Sequence, residues 1–147
     1  MEFQQLIADF AERHGIANLA AEDNAAALEV DGIVIMLVAV GDTLSISAGI
    51  GEPPSEGRAE FAELLLEANL QSEAFFAKEH ESGSYILVRR LALSTLESDA
   101  FDAALEALVN QAETWRRLLA DFRPVAKSAA EGADETPQFG ATGFVQV

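Results

Sequence analysis

The chain has 147 residues, 50% of them hydrophobic, with 25 acidic side chains against 9 basic, a formal net charge of −16 and no cysteine. That length suits one domain able to withdraw roughly 70% of its unfolded surface from water without a metal or disulfide; the missing thiols exclude disulfide frameworks, cysteine nucleophiles and cysteine-ligated zinc, and fit a reducing, cytoplasmic setting. So acidic a field repels nucleic-acid phosphates and anionic membranes, which argues against direct nucleic-acid binding, and it either serves solubility or selects a basic or polar partner.

The opening "MEFQQLIADF" carries Glu2 and no basic stretch, unlike a secretory signal. The longest apolar run, Ile33 to Val40, is far below the roughly 20 residues that cross a bilayer, so a soluble protein without membrane insertion is expected. In "EFQQLIADFAERHG", Phe3, Leu6, Ile7 and Phe10 stand at i, i+3, i+4 and i+7, and Gly15 stands where a helix would stop. This predicts an amphipathic helix over about residues 2–14.

Two dipeptides, Asp31-Gly32 and Gly41-Asp42, then separate β-rich runs near 25–30, 33–40 and 43–50, the signature of a three-stranded antiparallel meander. Setting Val30 opposite Ile33 and Val40 opposite Thr43 gathers Leu28, Val30, Ile33, Ile35, Leu37, Ala39, Leu44, Ile46 and Ala48 on one face, which reads as core. The other face collects Ala27, Glu29, Val34, Met36, Val38, Val40, Thr43, Ser45 and Ser47. A wet face would be polar, so its apolar stripe is expected to be covered by another part of the chain, by a second protomer or by a client peptide.

After the loop "GEPPSEGR" comes "AEFAELLLEANL", Ala59 to Leu70. At helical spacing its apolar residues span roughly 240°, far more than one core face demands. Only Glu60, Glu63 and Glu67 fill the rest, so something beyond the protomer's own core is expected against this helix. A β-hairpin over about 74–79 and 84–91, turning at "HESG", precedes a long helix from Ser98 whose stripe is Phe101, Leu105, Leu108, Ala112, Trp115, Leu119 and Phe122. Ser98 or Asp99 is expected to cap it and Pro124 to stop it. The segment 124–147, rich in Ala, Gly, Glu and Pro, reads as an extended acidic tail outside a 1–123 domain, although Phe139, Phe144 and Val145 suit an apolar groove of this or a neighbouring chain. Residues 1–123 hold 8 basic and 22 acidic side chains, a net of −14, so the acidity belongs to the body.

Catalysis needs converging polar groups. His14 and His80 have no ligand partner at i+3 or i+4, no G-x-S-x-G occurs, and "GIGEPPSEGR" lacks the Lys-Ser/Thr of a phosphate-binding loop. Glu56, Glu60, Glu63 and Glu67 read as a solvated edge, and the pairs Arg89-Arg90 and Arg116-Arg117 as internal ion-pair partners. No catalytic residue, metal or cofactor is expected, and the chain does not read as an enzyme.

The order helix, meander, short apolar helix, hairpin, long helix, with "LLLEANL" (Leu64–Leu70) at its centre and "AETWRRLLADF" (Ala112–Phe122) at its close, resembles the type III secretion effector chaperones of the Tir-chaperone-like class I family over residues 2–122. The resemblance implies an α+β homodimer, with the middle helix at its two-fold interface, that binds the unfolded N-terminal segment of a secreted effector without ATP. Carried onto this chain, it puts Phe61, Leu64, Leu65, Leu66, Asn69 and Leu70 against the mate, with Phe75 or Phe76. Client contacts would come from Phe3, Ile7, Val34, Met36, Val38 and Val40. The alternatives are a YbjN-like protein of the same fold with no secretion client, and an acidic regulatory protein mimicking nucleic acid. Binding by the latter would collapse with salt, whereas an apolar groove would keep its client.

Overall fold

A computed structural model of the protein describes residues 1–124; the expected tail, with Phe139, Phe144 and Val145, lies outside them apart from Pro124. The first helix, α1 (Phe3–His14), turns Phe3, Leu6, Ile7 and Phe10 inward and ends at Gly15, whose left-handed φ of 66° lets its N–H reach the Ala11 and Glu12 carbonyls. Strands β1 (Ala25–Val30), β2 (Ile33–Val40) and β3 (Thr43–Gly51) follow as an antiparallel meander. Val30 faces Ile33 and Val40 faces Thr43, the registers the turns dictate. Asp31 and Gly32 both take positive φ, 53° and 81°, as a type I′ hairpin turn requires.

The short helix α2 (Arg58–Asn69) leads to a hairpin of β4 (Phe75–Lys78) and β5 (Tyr85–Ala92), then a 3₁₀ turn (Leu93–Thr95) and the long helix α3 (Ser98–Asp121). The hairpin joins the meander through its second strand, so the five-stranded sheet runs β1-β2-β3-β5-β4, antiparallel throughout. The fold is α+β.

Along β2 burial alternates residue by residue: Ile33, Ile35, Leu37 and Ala39 are buried, while Val34, Met36 and Val40 are exposed. The buried row joins Leu44, Ile46, Ala48 and Leu87 of the neighbouring strands, Leu6 and Ile7 of α1, and Phe101, Leu105, Leu108 and Ala112 of α3 in one core. The architecture is therefore two layers, helices on one face of the sheet. At the far end of β3 a bulge shifts the register between Gly49 and Gly51. A Cβ on Gly51 (φ 142°) would stand 2.9 Å from Leu119 Cδ2, so α3 passes close there, and a larger residue would be strained by its φ and would have to displace the Leu119 side chain.

A polar clamp ties α1 to α3. The Arg13 guanidinium donates to both Asp102 oxygens at 2.5 and 3.0 Å and to Asp9 Oδ2 at 2.8 Å, the bidentate geometry that suits arginine. His14 Nε2 lies 3.1 Å from Asp102 Oδ2. The Ser98 hydroxyl donates to Asp9 instead of capping α3, and the residue at the cap position is Glu97, which makes no side-chain cap bond; neither Ser98 nor Asp99 fills that role.

Arg13's hydrogen bonds hold the Asp102 and Asp9 carboxyls below their ordinary range. These groups bind fewer protons folded than unfolded, so their stabilisation is complete above the ordinary value of 3.8 and is lost as pH falls through the depressed folded values. Chemical denaturation at about pH 7 and about pH 3 should show the parent losing more stability between the two than Asp102→Asn. Equal losses would mean the clamp is idle.

Candidate functional site

The excess of apolar residues on α2 divides between two destinations. Phe61 and Leu65 turn inward at 1% and 5% exposure, while Leu64, Leu66 and Leu70 stand out at 42%, 67% and 88%. The inward pair is held by an aromatic junction: the Phe61 ring stacks on Tyr85 at 5.8 Å and meets Trp115 and Phe122 edge-on at 6.0 and 5.1 Å, and Trp115 also meets Phe76 at 4.9 Å. Edge-to-face pairs of this kind add to the area they bury. Next to the exposed leucines runs a groove of about 580 Å³ lined by Pro53, Ala62, Leu66, Phe76, Ala77 and Tyr85, among others.

Asn69 has a role that spacing could not reveal. Its Oδ1 accepts from the Phe76 N–H at 2.6 Å and its Nδ2 donates to the Phe76 carbonyl at 3.3 Å. One side chain thus satisfies both outward-facing backbone groups at the middle of the edge strand β4, where an added strand would otherwise pair. Its amide is engaged on both sides within the protomer.

The expected interface and client residues sort accordingly. Phe61, Leu65 and Phe76 belong to the protomer core, and Leu64, Leu66 and Leu70 are the α2 residues presented to solvent. Phe75 lies on the opposite sheet face from Phe76, half-buried beneath the Arg90 guanidinium, 5.1 Å from its ring centre. Phe3 and Ile7, expected as client contacts, are buried in the protomer at 7% and 1% exposure, because α1 lays its one apolar face on its own sheet. Val34, Met36 and Val40 are exposed at 52%, 44% and 70%, with Val38 half-buried beside them.

The outer sheet face has relief as well as polarity. Register sets Val38 opposite Ser45 and Ser45 opposite Arg90, then Met36 opposite Ser47 and Ser47 opposite Val88, then Gly49 opposite Ile86. Small residues on β3 therefore form the floor of a trough. Its walls are Val34, Met36 and Val38 on one side and Ile86 and Arg90 on the other, with Val88 between the latter two buried at 8% exposure. Such a trough can bury an apolar segment while serine hydroxyls and the Arg90 charge meet polar groups at its edge.

Arg89 pairs with Glu73 at 3.0 Å, as expected of an internal partner, whereas Arg90 sits over an aromatic ring. Among the described residues no cluster of three or more His, Asp or Glu side chains is placed to hold a metal, and no helix is long and apolar enough to cross a membrane.

The pattern of the Tir chaperone protein (CesT) family matches residues 5–116. No curated protein matches the chain. Among solved structures, the ExsC-ExsE complex is similar at 24% identity and TM-score 0.69, covering 79% of this chain and 92% of that one. The Yersinia pestis type III secretion chaperone SycH, in complex with a stable fragment of YscM2, follows at 19% identity and TM-score 0.64, with coverage of 78% and 99%. YbjN from E. coli shares the fold at 16% identity and TM-score 0.59, with coverage of 79% and 90%.

Replacing Asn69 by leucine keeps the volume and removes both bonds to Phe76. Stability should fall by about 1–3 kcal/mol, and the Phe76 amide should exchange with solvent faster by hydrogen-exchange NMR. An unchanged Phe76 exchange rate would show that the edge is protected some other way.

Proposed function

The chain belongs to the Tir chaperone protein (CesT) family, and from that premise we propose that it is a homodimeric, ATP-independent chaperone that works in the cytoplasm and holds the unfolded N-terminal segment of a secreted effector. The observation that carries this reading is the presence of two separate apolar surfaces that the protomer leaves open, the α2 leucines and the outer sheet face. Solved structures of the same fold support it: ExsC is seen with ExsE, and SycH with a fragment of YscM2.

The division of labour follows from shape. Leu64, Leu66 and Leu70 project from a convex helix beside a groove, so the same patch on a second copy can bury its leucines in return, as an isologous contact requires. Phe61, Leu65, Phe76 and Asn69 stand behind that patch and fix it to the sheet, and Phe75 lies on the far side of β4. The trough bearing Val34, Met36, Val38 and Val40 is long and shallow, and suits a segment of chain without tertiary structure of its own. The free edge of β1 offers backbone groups to an extended segment, a route by which a binder gains affinity without a folded partner. Ordering the client is costly, and the apolar area it buries offsets that cost.

The likeness to YbjN favours a second reading, a binding role unconnected with secretion. Co-purification from the native host separates the two: a secretion substrate retained at high salt supports the chaperone, and a dimer that retains none favours the second reading. Retention that vanishes with modest salt would instead point to an acidic mimic, consistent with the charge of −16.

Leu66→Glu should give a folded monomer by analytical ultracentrifugation, because an unpaired carboxylate in an apolar contact is costly. Leu65→Glu should unfold the protomer, since Leu65 is 5% exposed. An intact dimer from Leu66→Glu would place the interface elsewhere. Met36→Glu should keep the dimer and weaken client binding by about tenfold or more, read by isothermal calorimetry with the retained segment.

A further inference from the structure

We propose that residues 137–147 of this same chain occupy the trough on the outer sheet face when no client is bound, so that the protein carries its own stand-in for the segment it is built to hold. The site is the one described above, and its regulatory meaning rests on the chaperone reading; the occupancy does not.

Three observations converge. The first is where the chain leaves the described structure. Arg116 of α3 lines a cavity of about 340 Å³ together with Gly32, Val34, Gly49 and Gly51, and Leu119 crosses Gly51 at the close approach already noted. The last turns of α3 thus run past the Val34 end of the trough, and the path continues through Phe122, packed on Phe61, to Pro124.

The second is reach. Residues 125–136 separate Pro124 from Pro137. Fully extended they span up to about 40 Å, whereas a domain of this size has a radius of gyration of about 14 Å. The tether covers the distance from the end of α3 to any point in the trough.

The third is charge and pattern. The tether holds every charged residue of the segment, Lys127, Glu131, Asp134 and Glu135, while "PQFGATGFVQV", residues 137–147, holds none. In a chain of net charge −16 that stretch without charged side chains is the part the acidic body repels least. Phe144-Val145-Gln146-Val147 alternates as a strand-like segment does, and Gly140 and Gly143 suit close approach to the sheet. The floor can receive it: a Cβ built on Gly49 meets no atom within 4 Å. The α2 groove offers a poorer seat, since its leucines are the patch a second copy covers.

The chain has no cysteine, so Thr142→Cys in the full-length protein carries a single nitroxide and leaves Phe139 and Phe144 in place. Methyl NMR should then show signals of Val34, Met36, Val38 and Val88 broadened at least several-fold more than those of Leu64, Leu66 and Leu70. The added change Phe144→Asp should abolish the difference. Spin-labelled protein of natural isotope content, mixed with isotope-labelled protein that carries no spin label, should leave the trough methyls several-fold less broadened, because the contact is within one chain. Absence of broadening in the trough, broadening centred on the α2 leucines, or trough broadening undiminished in the mixed sample would each overturn the proposal. No client enters the experiment, so its failure leaves the chaperone reading standing. Conversely, a protein with no effector partner would still show the contact.

Discussion

Eight consecutive apolar residues in one strand, Ile33 to Val40, set the terms for the rest of the molecule. A strand sends alternate side chains to opposite faces, so only half of such a run can enter a single core. Ile33, Ile35, Leu37 and Ala39 enter it, and α1 and α3 both lie on that side. No described element covers Val34, Met36 and Val40, and the open face follows from that allocation. Small residues on β3 between taller rows on β2 and β5 then turn an apolar face into a trough.

The second surface arises from a similar division on a helix. α2 is anchored through Phe61 and Leu65 to an aromatic junction supplied by β5, α3 and the residue after α3, and its remaining leucines have nowhere to go within the protomer. Asn69 completes the anchorage by binding the backbone of β4 at Phe76. Rigid support from behind lowers the order that contact with any partner would have to create. The Arg13–Asp102 clamp does the equivalent for the inner layer, fixing two helices whose shared apolar contact includes Phe10 against Phe101 at 5.4 Å.

Much of this was legible in the residues because local rules govern it. Asp31-Gly32 and Gly41-Asp42 dictate the registers of the meander, Gly15 ends α1, and the stripe from Phe101 to Phe122 runs along α3. What could not be read depends on lateral neighbours. Periodicity counts apolar residues on α2 but does not say which of them meet the core, so Leu64 and Phe61 share a face on a helical wheel and differ in exposure, 42% against 1%. The place of β5 beside β3, the turn of Phe3 and Ile7 into the protomer's own core, and the pairing of Arg13 with a carboxylate 89 residues away are likewise set by tertiary arrangement. The "LLLEANL" segment carried a family resemblance without its reason. Asn69 supplies one, as an amide placed to close a strand edge.

The most direct measurement is a methyl NMR footprint of the full-length protein with and without a segment retained on co-purification from the native host. The largest changes should fall on Val34, Met36, Val38 and Val40, with the α2 leucines unaltered. Changes confined to α2, or to the solvent side of α1 and α3, would contradict a chaperone that holds its client on the open face of the sheet.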